Sequence, residues 1–373
     1  MYPHRPRTTR TAVGSVLVFV ALAAALGACS SSANKAADTT TRPTTTTTVK
    51  ATTTSTADST TTTAASTTSS SVEETTTTAP AKPIYPLTGV ENPDPAIAAR
   101  PALIVKVDNV DQARPQSGFN EADIVFEEII NDRYTRFAMV FQSNSADPVG
   151  PIRSGRLQDV DLFTMLDHPL FAWSGGNATV TNEINNSELV NIGPSKAAVY
   201  YRTKDRKAPQ NLYSSTEALY SQTPVYSPAA KQQFAYRPVD APAAGTPSAG
   251  AAITLDIIKA RWDWDASQGL YLRSTQGQPH MDRNSGQVST NNVVVLEMNY
   301  LPGISGSPDA QTLGTGEAHV FTGGNYIHGT WTRNDIHDPF TLTADDGTTI
   351  QLTPGRTFVE LPRPGNTVVL PAA

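Results

Sequence analysis

The chain has 373 residues, of which 28 are Lys or Arg, 34 are Asp or Glu and one is cysteine. A single cysteine excludes both an intramolecular disulfide framework and a four-cysteine zinc site. The formal net charge of −6 argues against a general nucleic-acid binder, because such proteins present a basic surface to phosphates.

The N-terminal segment has the layout of a secretory signal peptide. Residues 1–28 place three arginines before an apolar run over residues 12–26, which is shorter than the roughly 20 residues of a membrane-spanning helix. The run leads into Leu-Gly-Ala-Cys at residues 26–29, which resembles the lipobox of bacterial lipoproteins. The alternative is an ordinary signal peptide with an incidental cysteine. We predict that Cys29 carries acyl chains such as palmitate and anchors the protein to the extracytoplasmic side of the cell membrane.

A Ser/Thr-rich segment follows the lipobox. Of the 53 residues 30–82, 31 are Ser or Thr and none is aromatic, so the segment cannot bury enough apolar area to offset the entropy of ordering. We interpret residues 29–82 as the lipidated cysteine and a disordered tether. A flexible coil of this length has an r.m.s. span of about 40 Å.

The first folded segment, residues 83–240, is predicted to be an α/β domain. Residues 102–107 are rich in β-branched side chains, and residues 122–130 and 135–141 have strand-like patterns. Apolar residues near helical spacing predict a short amphipathic helix within residues 155–167, after a proline.

A run rich in Pro, Gly and Ala over residues 237–250 is the expected internal boundary. The segment after it, residues 251–373, is predicted to be β-rich, with turn signals between short apolar runs. Its predicted strands are 253–258, 262–264, 270–273 and 293–298. The fold class expected for the whole folded part is therefore α+β.

Several sequence blocks resemble the YerB-like lipoproteins, a bacterial family with paired N-terminal and C-terminal domains of unknown function. The blocks are Ala113–Gly118, Ala122–Glu127, Thr135–Phe137, Gly150–Arg156, Tyr271–Arg273, His280–Asp282, Gly329–Arg333 and Pro354–Gly355. The resemblance implies an α+β or three-layer sandwich N-terminal domain, a β-rich C-terminal domain and an envelope location, but it supplies no activity. Gln210 departs from the pattern, since many relatives are expected to have His there.

The Gly150–Arg156 block is the most specific of these and is the centre of a predicted site. Guanidinium groups and free backbone N–H groups in this block would suit a carboxylate or a phosphate. The candidate ligand-binding residues are Arg153, Ser154, Arg156, Asp159, Glu127, Arg136, Asp108 and Arg114. Two hypotheses remain open: an anion-recognising cleft at the ends of neighbouring strands, and a structural Arg–Asp network.

Signals for other chemistry are weak. Ser154 has no assignable histidine partner, no Gly-x-Ser-x-Gly elbow exists, and lipidation of the single cysteine would leave no thiol. No metal site is predicted, because His280 with Asp282, and the group His328, Asp335, His337 and Asp338, lack metal-ligand spacing and are expected to be surface turn residues. Gly314–Gly316 is predicted to be a turn, so no cofactor is expected.

Three tryptophans leave a further alternative open. Trp262, Trp264 and Trp331 suit either core packing or stacking on sugar rings.

The sequence thus predicts a lipid-anchored envelope protein, with no enzymatic activity assigned, that binds peptidoglycan or an envelope protein. The alternative is an envelope hydrolase or transferase acting on an anionic glycan or peptide. In that case Arg153 and Arg156 would clamp the substrate, and Asp159 or Glu127 would be the acid or base.

Overall fold

Three apolar segments of the first half form adjacent strands, as their sequence patterns predict. The strands are Leu103–Asp108 (β1), Ile124–Ile129 (β2) and Thr135–Phe141 (β3), and β3 pairs antiparallel with both of the others. The computed structural model describes residues 82–372, so the predicted signal peptide, Cys29 and the tether up to residue 81 lie outside the described residues.

The remaining strands of the first half are short. They are Leu170–Ala172 (β4), Val190–Asn191 (β5), Tyr201–Arg202 (β6), Leu212–Tyr213 (β7) and Ala235–Tyr236 (β8). β4 extends the sheet in parallel with β1, and β5 follows in parallel with β4. The order across this half of the sheet is therefore β2-β3-β1-β4-β5.

The helices are few and short in the described chain. The α-helices are Pro95–Ala98 (α1), Gln158–Phe163 (α2), Ala178–Asn186 (α3) and Thr216–Tyr220 (α4), and 3-10 turns cover Asp111–Ala113, Asn131–Arg133, Thr164–Leu166 and Ile304–Gly306. The predicted helix over 155–167 is shorter than expected and begins at Gln158, because residues 151–157 do not form a helix. Within residues 82–372 no helix has the length and apolarity needed to cross a membrane.

The second half consists of strands. They are Thr246–Leu255 (β9), Ile258–Asp265 (β10), Leu270–Thr275 (β11), Gln278–Pro279 (β12), Met281–Asp282 (β13), Gly286–Gln287 (β14), Ser289–Thr290 (β15), Asn292–Leu296 (β16), Tyr300–Pro302 (β17), Pro308–Ala310 (β18), Gly314–Thr322 (β19), Asn325–Arg333 (β20), Thr341–Ala344 (β21), Gln351–Leu352 (β22), Thr357–Leu361 (β23) and Thr367–Pro371 (β24).

Some local predictions in this half were wrong. The predicted strand 253–258 spans a hairpin turn, since β9 ends at Leu255 and β10 begins at Ile258. Gly314–Gly316 opens β19 instead of forming a turn. The boundary expected at 237–250 stays a prediction, although its last residues begin β9, where Ser248 and Gly250 are buried.

The two halves join in one continuous sheet. β23, near the C-terminus, pairs in parallel with β2 over Ile124 to Glu128 on one side and with β16 on the other. The full strand order is β12-β11-β10-β9-β20-β19-β16-β23-β2-β3-β1-β4-β5, with β15, β21 and β24 attached beside it. The mixed, strand-dominated fold agrees with the expected class. The expected division into an α/β domain and a β-rich domain is not confirmed, because one sheet runs through both halves.

Both faces of the sheet are covered by apolar side chains. Alternation along β1 sends Ile104 to one hydrophobic cluster and Val105 to the other, as the two-residue repeat of a strand requires. Fully buried central strands are typical of parallel pairing. Trp262 and Trp331 are 0% and 2% exposed, so they pack in the core and are unavailable for stacking on sugars.

We predict that residues 83–250 do not fold alone. Without β23, the edge of β2 loses its parallel partner and Glu127 loses its cationic partner in the second half. The isolated segment should show no cooperative thermal transition by circular dichroism, whereas residues 83–373 should show one. A sharp transition in the isolated segment would contradict this interpretation.

Candidate functional site

Alternation along the strands divides the predicted site residues between two faces of the sheet. Asp108 on β1 lies opposite Arg136 on β3, and both belong to the face that carries Ile104. Glu127 on β2 is opposite Phe137 and belongs to the other face. The eight candidates therefore do not form one site.

Three arginines converge on the first face, and we call Arg136, Arg153 and Arg156 the arginine cluster. The buried carboxylate of Asp108 accepts a hydrogen bond from Nε of Arg153 at 3.0 Å, and its second oxygen lies 3.9 Å from Nε of Arg136. Nη1 of Arg136 donates to the carbonyl of Ser154 at 2.7 Å. These contacts fix the Gly150–Arg156 block against the sheet.

Gln210 also belongs to this cluster. Its Nε2 donates to the same Asp108 oxygen as Arg153, at 3.1 Å. The amide therefore occupies the position for which the family resemblance implies an imidazole, and it serves as a neutral donor at that carboxylate.

Arg156 and Asp159 contact each other through the backbone. Oδ2 of Asp159 accepts from the backbone N–H of Arg156 at 2.6 Å, while Nη2 of Arg156 donates to Oδ1 of Asn131 at 2.5 Å. Oδ1 of Asp159 pairs with Lys106 at 2.8 Å, and Lys106 also pairs with Glu128. Asp159 is fully buried, and its ion-pair partner in the described chain is Lys106 and not an arginine.

Burial shifts the pKa values around this network. Burial, and next the Asp159 carboxylate, raise the pKa of Glu128 to about 7. Burial and the neighbouring Arg156 guanidinium lower the pKa of Arg136 to about 9. The guanidinium groups thus repel one another, and Asp108 is the carboxylate in direct contact with Arg136 and Arg153.

An open cleft adjoins the arginine cluster. It has a volume of about 360 Å³ and is lined by Arg153, Ser154, Arg156, Arg202 and residues 174–177, among others. No acidic side chain is among its lining residues in the described chain. Neither Arg156 nor Arg202 has an ion pair within residues 82–372, so the cleft carries uncompensated positive charge.

Glu127 lies on the opposite face, in what we call the Glu–Arg–Glu cluster. Arg273 on β11 is fully buried between Glu127 and Glu360, and it forms an ion pair with each. Nε1 of Trp262 donates to Glu360 at 2.9 Å. Glu127 also accepts from the Thr135 hydroxyl at 2.5 Å. With no solvent access, this cluster is structural.

Sequence reasoning did not assign Arg273 or Glu360. The one available signal was periodicity, because Arg273 occupies an inward position of the alternating strand β11 and Glu360 is flanked by apolar residues in β23. A charged residue at an inward position of a strand needs a buried partner.

Arg114 lies outside the cleft. Nε and Nη2 of Arg114 donate to Oδ1 of Asn109 at 3.1 and 3.0 Å, and Nη1 pairs with the exposed Asp111 at 3.0 Å. Asn109 in turn donates to Glu127 at 2.9 Å. Arg114 therefore supports the buried carboxylate of Glu127 from the edge of the sheet.

His280 and Asp282 are buried, so the expectation of surface turn residues was wrong for them. Oδ2 of Asp282 accepts from the backbone N–H groups of Gly118 and Phe119 at 2.7 and 2.9 Å. Nε2 of His280 lies 3.0 Å from Oε1 of Gln116. Both residues thus fasten the second half of the chain to the first.

The other predicted turn histidines have carboxylate partners near the surface. His328 contacts Glu317 and Asp345, each at 2.8 Å, and His337 contacts Glu188 at 3.0 Å. Within residues 82–372 no group of three or more His, Cys, Asp or Glu side chains is arranged to hold a metal ion.

We predict that the free energy of unfolding falls as the pH rises from 6.5 to 8. Burial, opposed by Arg273 and reinforced by Glu127, raises the pKa of Glu360 to about 8. The folded state thus keeps a proton that the unfolded chain releases, and stability declines by at most ~1.4 kcal/mol per pH unit for this group. The lowered pKa of His280 opposes this effect near pH 6.5, where the unfolded imidazole is still partly protonated, but the opposition fades as the pH rises toward 8.

Denaturant titrations at several pH values test this linkage. Glu360→Gln keeps an oxygen for Arg273 and Trp262 but cannot titrate, so its slope between pH 6.5 and 8 should be smaller. Exposed Glu217→Gln is the control and should keep the wild-type slope. Equal slopes in all three proteins would refute the assignment.

Comparisons with known proteins agree with this architecture. The family models for the N-terminal and C-terminal domains of "Protein of unknown function (DUF3048)" match residues 87–227 and 253–359. The putative lipoprotein YerB of Bacillus subtilis is 27% identical over 288 residues, which cover 74% of this chain and 85% of that protein. The crystal structure of B. subtilis YerB has a similar fold, with a TM-score of 0.68 and 23% identity over 77% of this chain and 99% of that one. Because both domain models match in the same order, the chain belongs to the YerB-like family, whose two domains are of unknown function.

Proposed function

We propose that this protein is a lipid-anchored, extracytoplasmic binding protein that holds an anionic group of a cell-wall component in the cleft beside the arginine cluster. The observation that carries the proposal is the lining of the cleft, where Arg153, Arg156 and Arg202 are present without an acidic side chain. Guanidinium groups bind carboxylates and phosphates through paired, charge-assisted hydrogen bonds.

The electrostatics of the arginine cluster favour an anion. Nε of Arg136 is buried without a hydrogen-bond partner within residues 82–372, and the lowered pKa of Arg136 reflects burial and then repulsion from Arg156. Burial also lowers the pKa of Arg156. An anion in the cleft would relieve this repulsion. Because the fold already holds the arginines together, binding does not have to provide the free energy that brings them together.

The arrangement supports binding more than catalysis. Asp159 is held by Lys106 and by a backbone N–H group, and Glu127 is on the opposite face of the sheet. Oγ of Ser154 lies 3.5 Å from Nη1 of Arg153, and no hydrogen bond to a histidine accompanies it among the described residues. The hydrolase or transferase alternative therefore has neither of its proposed acid–base residues at the cleft.

The location is supported by the sequence and by the relative. The B. subtilis protein is named a putative lipoprotein, and this chain has its single cysteine at position 29, after a lipobox-like sequence. We propose that two acyl chains on Cys29 hold the protein in the cell membrane. The Ser/Thr-rich tether would then place the cleft in the cell wall.

We expect Arg153→Gln combined with Arg156→Gln to weaken binding of the acylated full chain to purified peptidoglycan sacculi at least tenfold. The reason is the loss of two guanidinium donors at the cleft. The measurement is co-sedimentation, with thermal unfolding recorded for each variant. Arg261→Gln removes the same charge from an exposed pair with Asp263 and should bind normally.

A second variant separates binding from folding. Arg202 is exposed, and among the described residues its side chain bonds only Oδ1 of Asn211, at 2.6 Å, so Arg202→Gln should reduce binding while leaving the unfolding temperature unchanged. Wild-type binding by all the cleft variants would rule out the proposed function.

We expect Cys29→Ala to abolish incorporation of radiolabelled palmitate and to release the protein from the membrane fraction, because the thiol is the proposed acylation point. Fractionation and metabolic labelling measure both effects. A Ser30→Ala variant is the control and should remain membrane-bound. Labelling of the Cys29→Ala protein would contradict the assignment.

A further inference from the structure

A second cavity continues from the arginine-lined cleft. It has a volume of about 200 Å³, and Arg156 and Asn177 line both cavities. Its far wall is the segment 303–309, which belongs to the second half of the chain. The two cavities therefore adjoin each other at Arg156 and Asn177, and we call the pair the groove.

The far wall is fixed in place. The backbone N–H of Gly303 donates to the carbonyl of Ser307 at 2.9 Å, which closes the segment on itself. A Cβ at Gly303 would lie 2.5 Å from that same carbonyl oxygen, so the close approach requires glycine. Nδ2 of Asn177 donates to Oγ of Ser305 at 3.3 Å and links the wall to the N-terminus of α3.

Asp309 gives this wall a charge opposite to that of the arginine cluster. Asp309 lies on β18, is partly buried, and lines the second cavity. Its carboxylate has neither a hydrogen bond nor an ion pair within residues 82–372. Burial and then the nearby Asp161 carboxylate raise its pKa, which means that Asp309 lacks the cation that would stabilise its charged form.

The groove thus has arginines at one end, in the cleft, and the unpaired carboxylate of Asp309 at the other end, in the second cavity. Arg156 lines both parts. A ligand with charges of both signs would satisfy both ends, whereas a simple anion would satisfy one. The charged form of a partly buried carboxylate is stabilised most by a cationic hydrogen-bond donor that replaces its water, and an ammonium group is such a donor.

We propose, building on the anion-binding function above, that the groove binds a peptide bearing a diamino acid, with a carboxylate at Arg153 and Arg156 and the side-chain ammonium at Asp309. A wall peptide with a diamino acid in its chain has both groups within one or two residues. The ligand class is therefore a zwitterionic peptide, and Asp309 is the specificity residue for its amine.

Two synthetic peptides test the proposal on the full chain by isothermal titration calorimetry. The probes are N-acetyl-L-Ala-γ-D-Glu-L-Lys and the same peptide with the lysine Nε acetylated, which differ only in the ammonium group. We expect acetylation to weaken binding at least tenfold in the wild type. In Asp309→Asn the two peptides should bind within twofold of each other, because the carboxylate that reads the amine is gone.

Two controls separate the amine end from the anion end. Asp346→Asn, in an exposed turn, should keep the wild-type preference for the free amine. Arg153→Gln should weaken both peptides by the same factor, because it reports only on the proposed anion site.

Several results would overturn the inference. Equal binding of the two peptides by the wild type would refute the pairing of Asp309 with an ammonium group while leaving the arginine-lined cleft in place. Retention of the amine preference in Asp309→Asn would assign the preference to another residue. Failure of both peptides to bind, with sacculus binding intact, would refute the ligand class without refuting the proposed function.

Discussion

Arg273 lies between Glu127 and Glu360 and pairs with both. The two glutamates are more than two hundred residues apart in the sequence, but their strands, β2 and β23, are neighbours in the sheet. The parallel pairing of β2 with β23 brings those carboxylates side by side, and two like charges in a dry interior need a shared cation. The three residues therefore tie β2, β23 and β11 together in the interior, and removing one of them would leave a buried charge without its partner. Because β1 and β3 pair outward from β2, the position of the arginine cluster also depends on this contact.

The two faces of the sheet treat charge differently. On the face of Glu127, Arg273 pairs with Glu127 and Glu360 without solvent access, so these charges serve the fold. On the face of Asp108 the buried carboxylates pair with Lys106 and with Arg153, whereas the half-buried Arg156 has no ion pair within residues 82–372. The structural network and the proposed anion cleft, which sequence reasoning treated as alternatives, are therefore compatible, because the network lies inside and the arginine-lined cleft lies outside it. The network orients the guanidinium groups that line the cleft.

Local patterns predicted local structure well. Strands β1 to β3 and the hairpin of β10 and β11 follow from runs of β-branched and alternating residues, which depend on neighbours in the sequence. The site was predicted less well, because its grouping depends on which strands pair. Alternation alone separates Glu127 from Glu128, yet only the pairing of β2 with β3 and β23 shows that Glu127 faces Arg273. For His280 and Asp282, short polar segments gave no sign of burial, since their partners lie more than 150 residues away.

The position of β23 near the C-terminus also governs when the chain can fold. In a chain that emerges from a ribosome or a translocation channel from its N-terminus, β2 appears long before residues 357–361. Until then one edge of β2 has no partner strand, and the cluster of Glu127, Arg273 and Glu360 is incomplete. The emerging polypeptide therefore stays incompletely folded until nearly all of it has passed, which is the state that a threaded export route requires. If the chain is exported as proposed, this strand order would delay completion of the sheet until nearly all of the chain has crossed the membrane.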